Sequence, residues 1–113
     1  MLSVYSIENL NEVMGDDPEF IAVLVQAFLD EIPTDLEGLK VAVAEGDRKR
    51  AYGFAHKMKP NIEMFGVDLM KNLRSIETWS RSSKDVDAVQ GLVDEVDQTL
   101  NAVFTALRQD FNL

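Results

Sequence analysis

The sequence predicts an all-α fold, an up-down antiparallel four-helix bundle with a short extra N-terminal helix. Three observations carry that prediction. Apolar residues recur at steps of three and four along most of the chain, no run alternates apolar and polar residues for the length of a strand, and helix-ending residues punctuate the apolar stretches at short intervals. Residues 1–113 read as a single domain, long enough to bury a core and too short to add a nucleotide-binding domain to a catalytic one.

Ser6 is placed to cap a first helix running to about Met14 and ended by Gly15. Asp17 as N-cap and Pro18 at the first helical position open a second, long helix. Its apolar stripe reads Phe20, Leu24, Ala27 and Phe28, then Leu36, Leu39 and Val43, with Pro33 expected to kink it between the halves. Gly46 is the expected C-terminal cap, and Asp47 starts the third helix, which ends at Gly66. A fourth helix is expected from about Asp68 to Ser82, with Leu69, Leu73, Ile76 and Trp79 on one side. After "RSSKD", whose serines are candidate caps, the fifth places Val86, Val89, Val93, Val96, Leu100, Val103 and Leu107 at alternating steps of three and four. Residues after Arg108 are expected to fray. Four substantial helices joined by short turns lie antiparallel to their neighbours, and because their seams are satisfied within one chain a monomer is expected.

Composition narrows the function. The chain has no cysteine, which excludes a disulfide framework and a thiolate metal site and fits a cytoplasmic setting. The start, "MLSVYSIENL", does not read as a secretory leader, and the longest apolar run, "IAVLV", is far below the roughly 18 residues of a membrane span, so no membrane partner is expected. A formal charge of −9 makes nucleic acid an unfitting partner. The basic residues are nevertheless uneven: Arg48, Lys49, Arg50, Lys57 and Lys59 cluster around His56, the one histidine of the chain. That cluster reads either as a local anion-friendly docking patch or as a solvated helix face.

On the third helix, Ala51, Phe54, Met58, Ile62 and Phe65 fall in one arc at about 100° per residue, flanked by Ala55. His56 lies almost opposite, sharing a face with Lys49, Tyr52, Lys59, Pro60 and Glu63. One histidine is no metal site. No serine or cysteine stands with an orienting acid as a hydrolytic triad requires, and no glycine-rich phosphate loop is present to take phosphate from a nucleotide. The chemistry left to an exposed imidazole is nucleophilic attack by its own ring nitrogen, with Lys59 at i+3 near enough to offset the charge of a phosphoryl group. The competing reading is an ordinary surface histidine.

The stretch "AHKMKPNIEMFGV" resembles the signature of histidine-containing phosphotransfer (HPt) domains, A-H-x-[LM]-K-G-x-x-x-x-[LMF]-G, with Ala55, His56, Met58, Lys59, Phe65 and Gly66 in register. "FLDEIPTDLEGLKVAVAEGD" is similar to the long helix and capped turn that precede it in that family; the later helices match in length and pattern. The resemblance implies a phosphorelay intermediate, in which the receiver aspartate of a hybrid sensor histidine kinase passes a phosphoryl group to His56, and His56 passes it to the receiver domain of a response regulator. By the same resemblance Lys59 stabilises the phosphohistidine, Mg²⁺ comes with the receiver, and the chain carries no cofactor and is a carrier, not an enzyme. The alternative is an interaction bundle that docks receiver or kinase domains without being phosphorylated.

One position departs from the pattern. Pro60 stands where the family commonly has glycine; it lacks an N–H, frees the His56 carbonyl and bends the helix. Proline and glycine share a low profile, so Pro60 reads as part of the docking face with Lys49, Tyr52 and Glu63; the competing reading is a tolerated kink in the bundle. Tyr52 is expected there as an exposed aromatic anchor. Gly53, one turn before His56, either clears room for the partner or records close packing.

Overall fold

The computed structural model describes residues 4–15 and 17–113, and every regular element among them is an α-helix. In chain order these are α1 (Glu8–Met14), α2 (Pro18–Ala44), α3 (Arg48–Met64), α4 (Met70–Ser80) and α5 (Asp87–Phe111). α3 packs against both α2 and α4, α5 closes the bundle against α4 and α2, and α1 rests on α2. The result is the four-helix bundle with an extra N-terminal helix that the periodicity predicts.

α2 starts as expected, with the Asp17 carboxylate accepting from the backbone N–H groups of Glu19 and Phe20 at 3.1 and 3.5 Å. It stays one helix with Pro33 inside it, and its buried stripe is Ile21, Val25, Phe28, Leu29, Ile32, Leu36, Leu39, Ala42 and Val43. The expected stripe is therefore corrected in its first half, where Phe20 and Ala27 are exposed and Leu24 is half-buried. The physical reason is that α2 is apolar on more than one side there, and the neighbours α3 and α5 decide which side is covered.

The turn after α2 uses Gly46 one place later than a cap. Glu45 is the cap residue, Gly46 takes φ 69°, and the N–H groups of Gly46 and Asp47 donate to Val43 and Ala42. Asp47 then accepts from the Arg50 N–H at 3.2 Å and starts α3. The α3–α4 turn depends on Gly66 twice over. Its φ is 61°, and a Cβ there would sit 2.9 Å from the Cβ of Ser6, whose N–H donates to the Phe65 carbonyl.

Three boundaries differ from expectation. α1 begins at Glu8, and the Ser6 hydroxyl accepts from the Glu8 N–H just before it. α4 is shorter at both ends; Ser82 donates to the Trp79 carbonyl and accepts from the Lys84 N–H, closing the turn after α4 rather than capping α5. α5 runs past Arg108 to Phe111, because Phe111 packs on the core and Asp110 accepts from the Tyr5 hydroxyl. Burial together with the Asp110 carboxylate pushes the Tyr5 phenol up to about 12.

The seam residues Val89, Val93, Val96, Leu100, Val103 and Leu107 are all buried, and Val86 is half-buried at the start. Phe28 joins α2 to the rest of the core, its ring centroid 4.3 Å from that of Phe65 and 6.1 Å from that of Phe104. No helix among the described residues is long and apolar enough to cross a membrane.

Candidate functional site

α3 buries Ala51, Ala55, Met58 and Ile62 and thereby turns His56 outward, its side chain 62% exposed. Phe54 sits at the edge of that buried face rather than within it. It is half-buried against Gly38 of α2, where a Cβ would come within 2.4 Å of the ring.

The imidazole is not free. Its Nδ1 lies 2.9 Å from Oε2 of Glu77 on α4, and the other oxygen of the same carboxylate accepts from the Lys59 ammonium at 2.8 Å. Glu77 is buried, a placement that disfavours a carboxylate unless it is paired. Burial alone would raise its pKa, but the hydrogen bonds and charges of Lys59 and His56 outweigh that and hold the group below the usual carboxylate range. An ionised carboxylate only accepts hydrogen bonds, so the proton of the neutral ring resides on Nδ1 and the lone pair on Nε2.

Lys59 departs from its expected place. Its side chain is 23% exposed and leans toward α4, with the ammonium paired to Glu77 instead of standing free beside the imidazole. Tyr52 departs likewise. It is half-buried, its ring stacked on the imidazole with centroids 5.5 Å apart and planes 9° apart. The guanidinium of Arg81, the residue that caps α4, donates to the Tyr52 hydroxyl at 3.1 Å and lies over the same ring.

Lys49, Gly53, Pro60 and Glu63 are exposed, as expected. Lys49 lines a shallow hollow with Arg48, Tyr52, Ser80 and Arg81. Pro60 and Glu63 line another with Asn9 and Met64, where the Asn9 amide donates to the Glu63 carbonyl. A Cβ on Gly53 would meet nothing within 4 Å, so close packing within the chain does not explain that glycine.

The basic cluster does not form a uniform anion-friendly patch. Arg48 donates to the carbonyls of Trp79 and Lys84 and stacks on the Trp79 ring, tying α3 to the α4–α5 connection. Lys57 pairs with the buried Asp35 of α2 at 3.1 Å, Lys59 with Glu77, and Arg50 lies over the Phe54 ring. Most of these charges hold helices together.

Sequence reading missed Glu77 and Arg81. One signal was available for the first: Glu77 follows Leu73 by four residues on the apolar side of α4, where an unpaired carboxylate would be costly. Among the described residues no group of three or more histidine, cysteine, aspartate or glutamate side chains is arranged to hold a metal ion.

The helical bundle presents one imidazole at its surface, with its Nδ1 held by a buried acid and its Nε2 without a hydrogen-bond partner among the described residues. The family model for the Hpt domain matches residues 23–109, and the chain belongs to that family. Hpt domains are phosphocarrier modules, and membership gives the chain a phosphotransfer role in two-component signalling, in contact with receiver domains and kinases. No curated protein and no solved structure matches it.

Proposed function

We propose that His56 is the phosphoacceptor of a phosphorelay, taking a phosphoryl group from the aspartyl phosphate of a hybrid kinase's receiver domain and giving it to the aspartate of a response regulator. The observation that carries this is the 2.9 Å contact between Nδ1 of His56 and Glu77, which leaves Nε2 as the nucleophile. As the Nε2–P bond forms, the bond from phosphorus to the aspartate oxygen breaks and its electron pair stays on that carboxylate. The proton on Nδ1 remains in place. Positive charge that builds on the ring then faces the Glu77 carboxylate, and return of the phosphoryl group to a second aspartate reverses the same steps. Positioning and electrostatics suffice for a transfer whose transition state is loose and charge-spread.

In this reading the chain works as a monomer without a cofactor of its own, and Mg²⁺ comes with the receiver. Lys49, Gly53, Pro60 and Glu63 form the surface that the receiver covers, and Lys59 acts on the phosphoryl group chiefly through Glu77. The test is to incubate wild type and His56→Gln with a panel of radiolabelled phospho-receivers and measure acid-labile, alkali-stable label. Label on wild type and none on the variant is expected; equal label on both would end the assignment to His56.

A further inference from the structure

A hydrogen bond at Nδ1 fixes one atom of an imidazole but not its plane. The ring can still swing about that contact, since the torsion between Cβ and an aromatic ring is broad. In this chain the face of the ring is also held. Tyr52, one turn earlier on α3, lies nearly parallel to it, with planes 9° apart and centroids 5.5 Å apart.

A half-buried tyrosine at the edge of a helix is itself free to change rotamer unless something holds it. Arg81 does so from the C-terminal cap of α4, donating to the hydroxyl at 3.1 Å with its guanidinium carbon 5.0 Å from the ring centroid. The spacing explains how one helix and the residue that caps it grip both side chains. Arg81 follows Glu77 by four residues at the C-terminal cap of α4, Tyr52 and His56 are four apart on α3, and the helices are antiparallel neighbours, so Glu77 reaches His56 where Arg81 reaches Tyr52.

We propose that Tyr52 and Arg81 are positioning residues for phosphoryl transfer: Arg81 braces Tyr52, and Tyr52 holds the plane of the His56 ring so that Nε2 points at the incoming phosphorus. The proposal rests on His56 being the phosphoacceptor. It gives Tyr52 a task different from that of an exposed docking anchor, and the two tasks separate cleanly. An anchor matters only when a receiver docks, whereas a brace matters for any phosphoryl donor.

The experiment uses phosphoramidate, a donor too small to need a docking surface, with the full chain as wild type, Tyr52→Leu, Tyr52→Phe and Arg81→Met. His56 is the one histidine among 113 residues, so its ring ¹H and ¹⁵N resonances are assigned without ambiguity and report plane and tautomer directly. Tyr52→Leu should lower the rate of His56 phosphorylation about tenfold, the scale of a small misplacement of a reacting group, and move the ring protons downfield, out of the Tyr52 ring current. Tyr52→Phe keeps the ring and the guanidinium over it but loses the hydroxyl that Arg81 holds, so it should fall between wild type and Tyr52→Leu, as should Arg81→Met, which loses both contacts. Amide spectra check that each variant is folded, and Arg81→Lys replaces Arg81→Met if the latter is not. Wild-type phosphorylation rates in both Tyr52→Leu and Arg81→Met would overturn the proposal. If wild type accepts no phosphoryl group, the acceptor assignment fails first; the ring resonances then decide the brace separately, and unchanged ring shifts and tautomer in Tyr52→Leu refute it.

Discussion

Glu77 Oε2 lies 2.9 Å from Nδ1 of His56, a contact between a buried carboxylate of α4 and an exposed ring of α3. The asymmetry gives each partner a distinct part. The acid is fixed by the bundle and by Lys59, so it sets the ring's tautomer, while the ring keeps its far nitrogen in solvent where a partner can reach it. In the proposed transfer a histidine held this way needs no neighbouring base, because the attacking nitrogen has no proton to lose.

The pairing makes stability depend on pH in a stated direction. The folded-state pKa of Glu77 is depressed, so its contribution is complete above the unfolded carboxylate pKa and is lost as pH falls through the folded value. Glu77→Gln keeps one accepting oxygen, for either Nδ1 or Lys59, sets an amide N–H against the other, and cannot ionise. Wild type should therefore be the more stable at neutral pH, by about 1–3 kcal/mol, with the difference closing on the acid side. Denaturant unfolding of both proteins between about pH 7 and pH 3 measures it, and a constant difference across that range would contradict the assignment. At neutral pH the variant should also hold phosphohistidine for a shorter time.

Lys59 offers a test of whether it acts through Glu77 or directly on the phosphoryl group. Its ammonium is paired to Glu77 in this state, so Lys59→Met should reduce stability by about 1 kcal/mol as well as slow phosphotransfer. In a double-mutant cycle with Glu77→Gln, the two changes should couple by at least about 0.5 kcal/mol in unfolding free energy. Additive stability effects alongside a full loss of transfer would mean that Lys59 serves the phosphate alone.

The contrast between what the sequence made legible and what it did not follows from the range of the interactions. Caps and periodicity are local. Asp17, Asp47 and Gly66 act within a few residues, and the steps of three and four from Val86 to Leu107 record a single buried face, so all were readable. The outward direction of His56 was readable too, because the apolar arc of α3 fixes its opposite side. What flanks that direction was not. Helical spacing places Tyr52, Lys59 and Glu63 around His56, but only the position of α4 decides that Tyr52 and Lys59 lean into it while Glu63 stays exposed. Glu77 and Arg81 are distant in sequence from the residues they hold and carry no local motif. The end of α5 was misjudged for the same reason, since Tyr5 and Asp110 meet only once the bundle is closed.

Gly53 separates a demand of the fold from a demand of the partner. It lies inside α3, exposed, with open space where a Cβ would go, and its conformation is helical. Alanine fits there without strain and removes the conformational freedom that glycine contributes to the unfolded chain, so Gly53→Ala should stabilise the protein by about 0.5–1 kcal/mol. If stability alone shaped this helix, alanine would be the better residue at that point. The glycine is one turn before His56, on the exposed side, and the proposed receiver must bring its aspartate to Nε2 across this surface. Gly53→Ala should therefore slow phosphotransfer from a phospho-receiver several-fold while leaving phosphorylation by phosphoramidate unchanged, because only the larger donor has to lie against the helix. Thermal unfolding, receiver transfer kinetics and phosphoramidate kinetics on the same variant provide the check. A more stable protein with unaltered receiver kinetics would remove Gly53 from the docking surface.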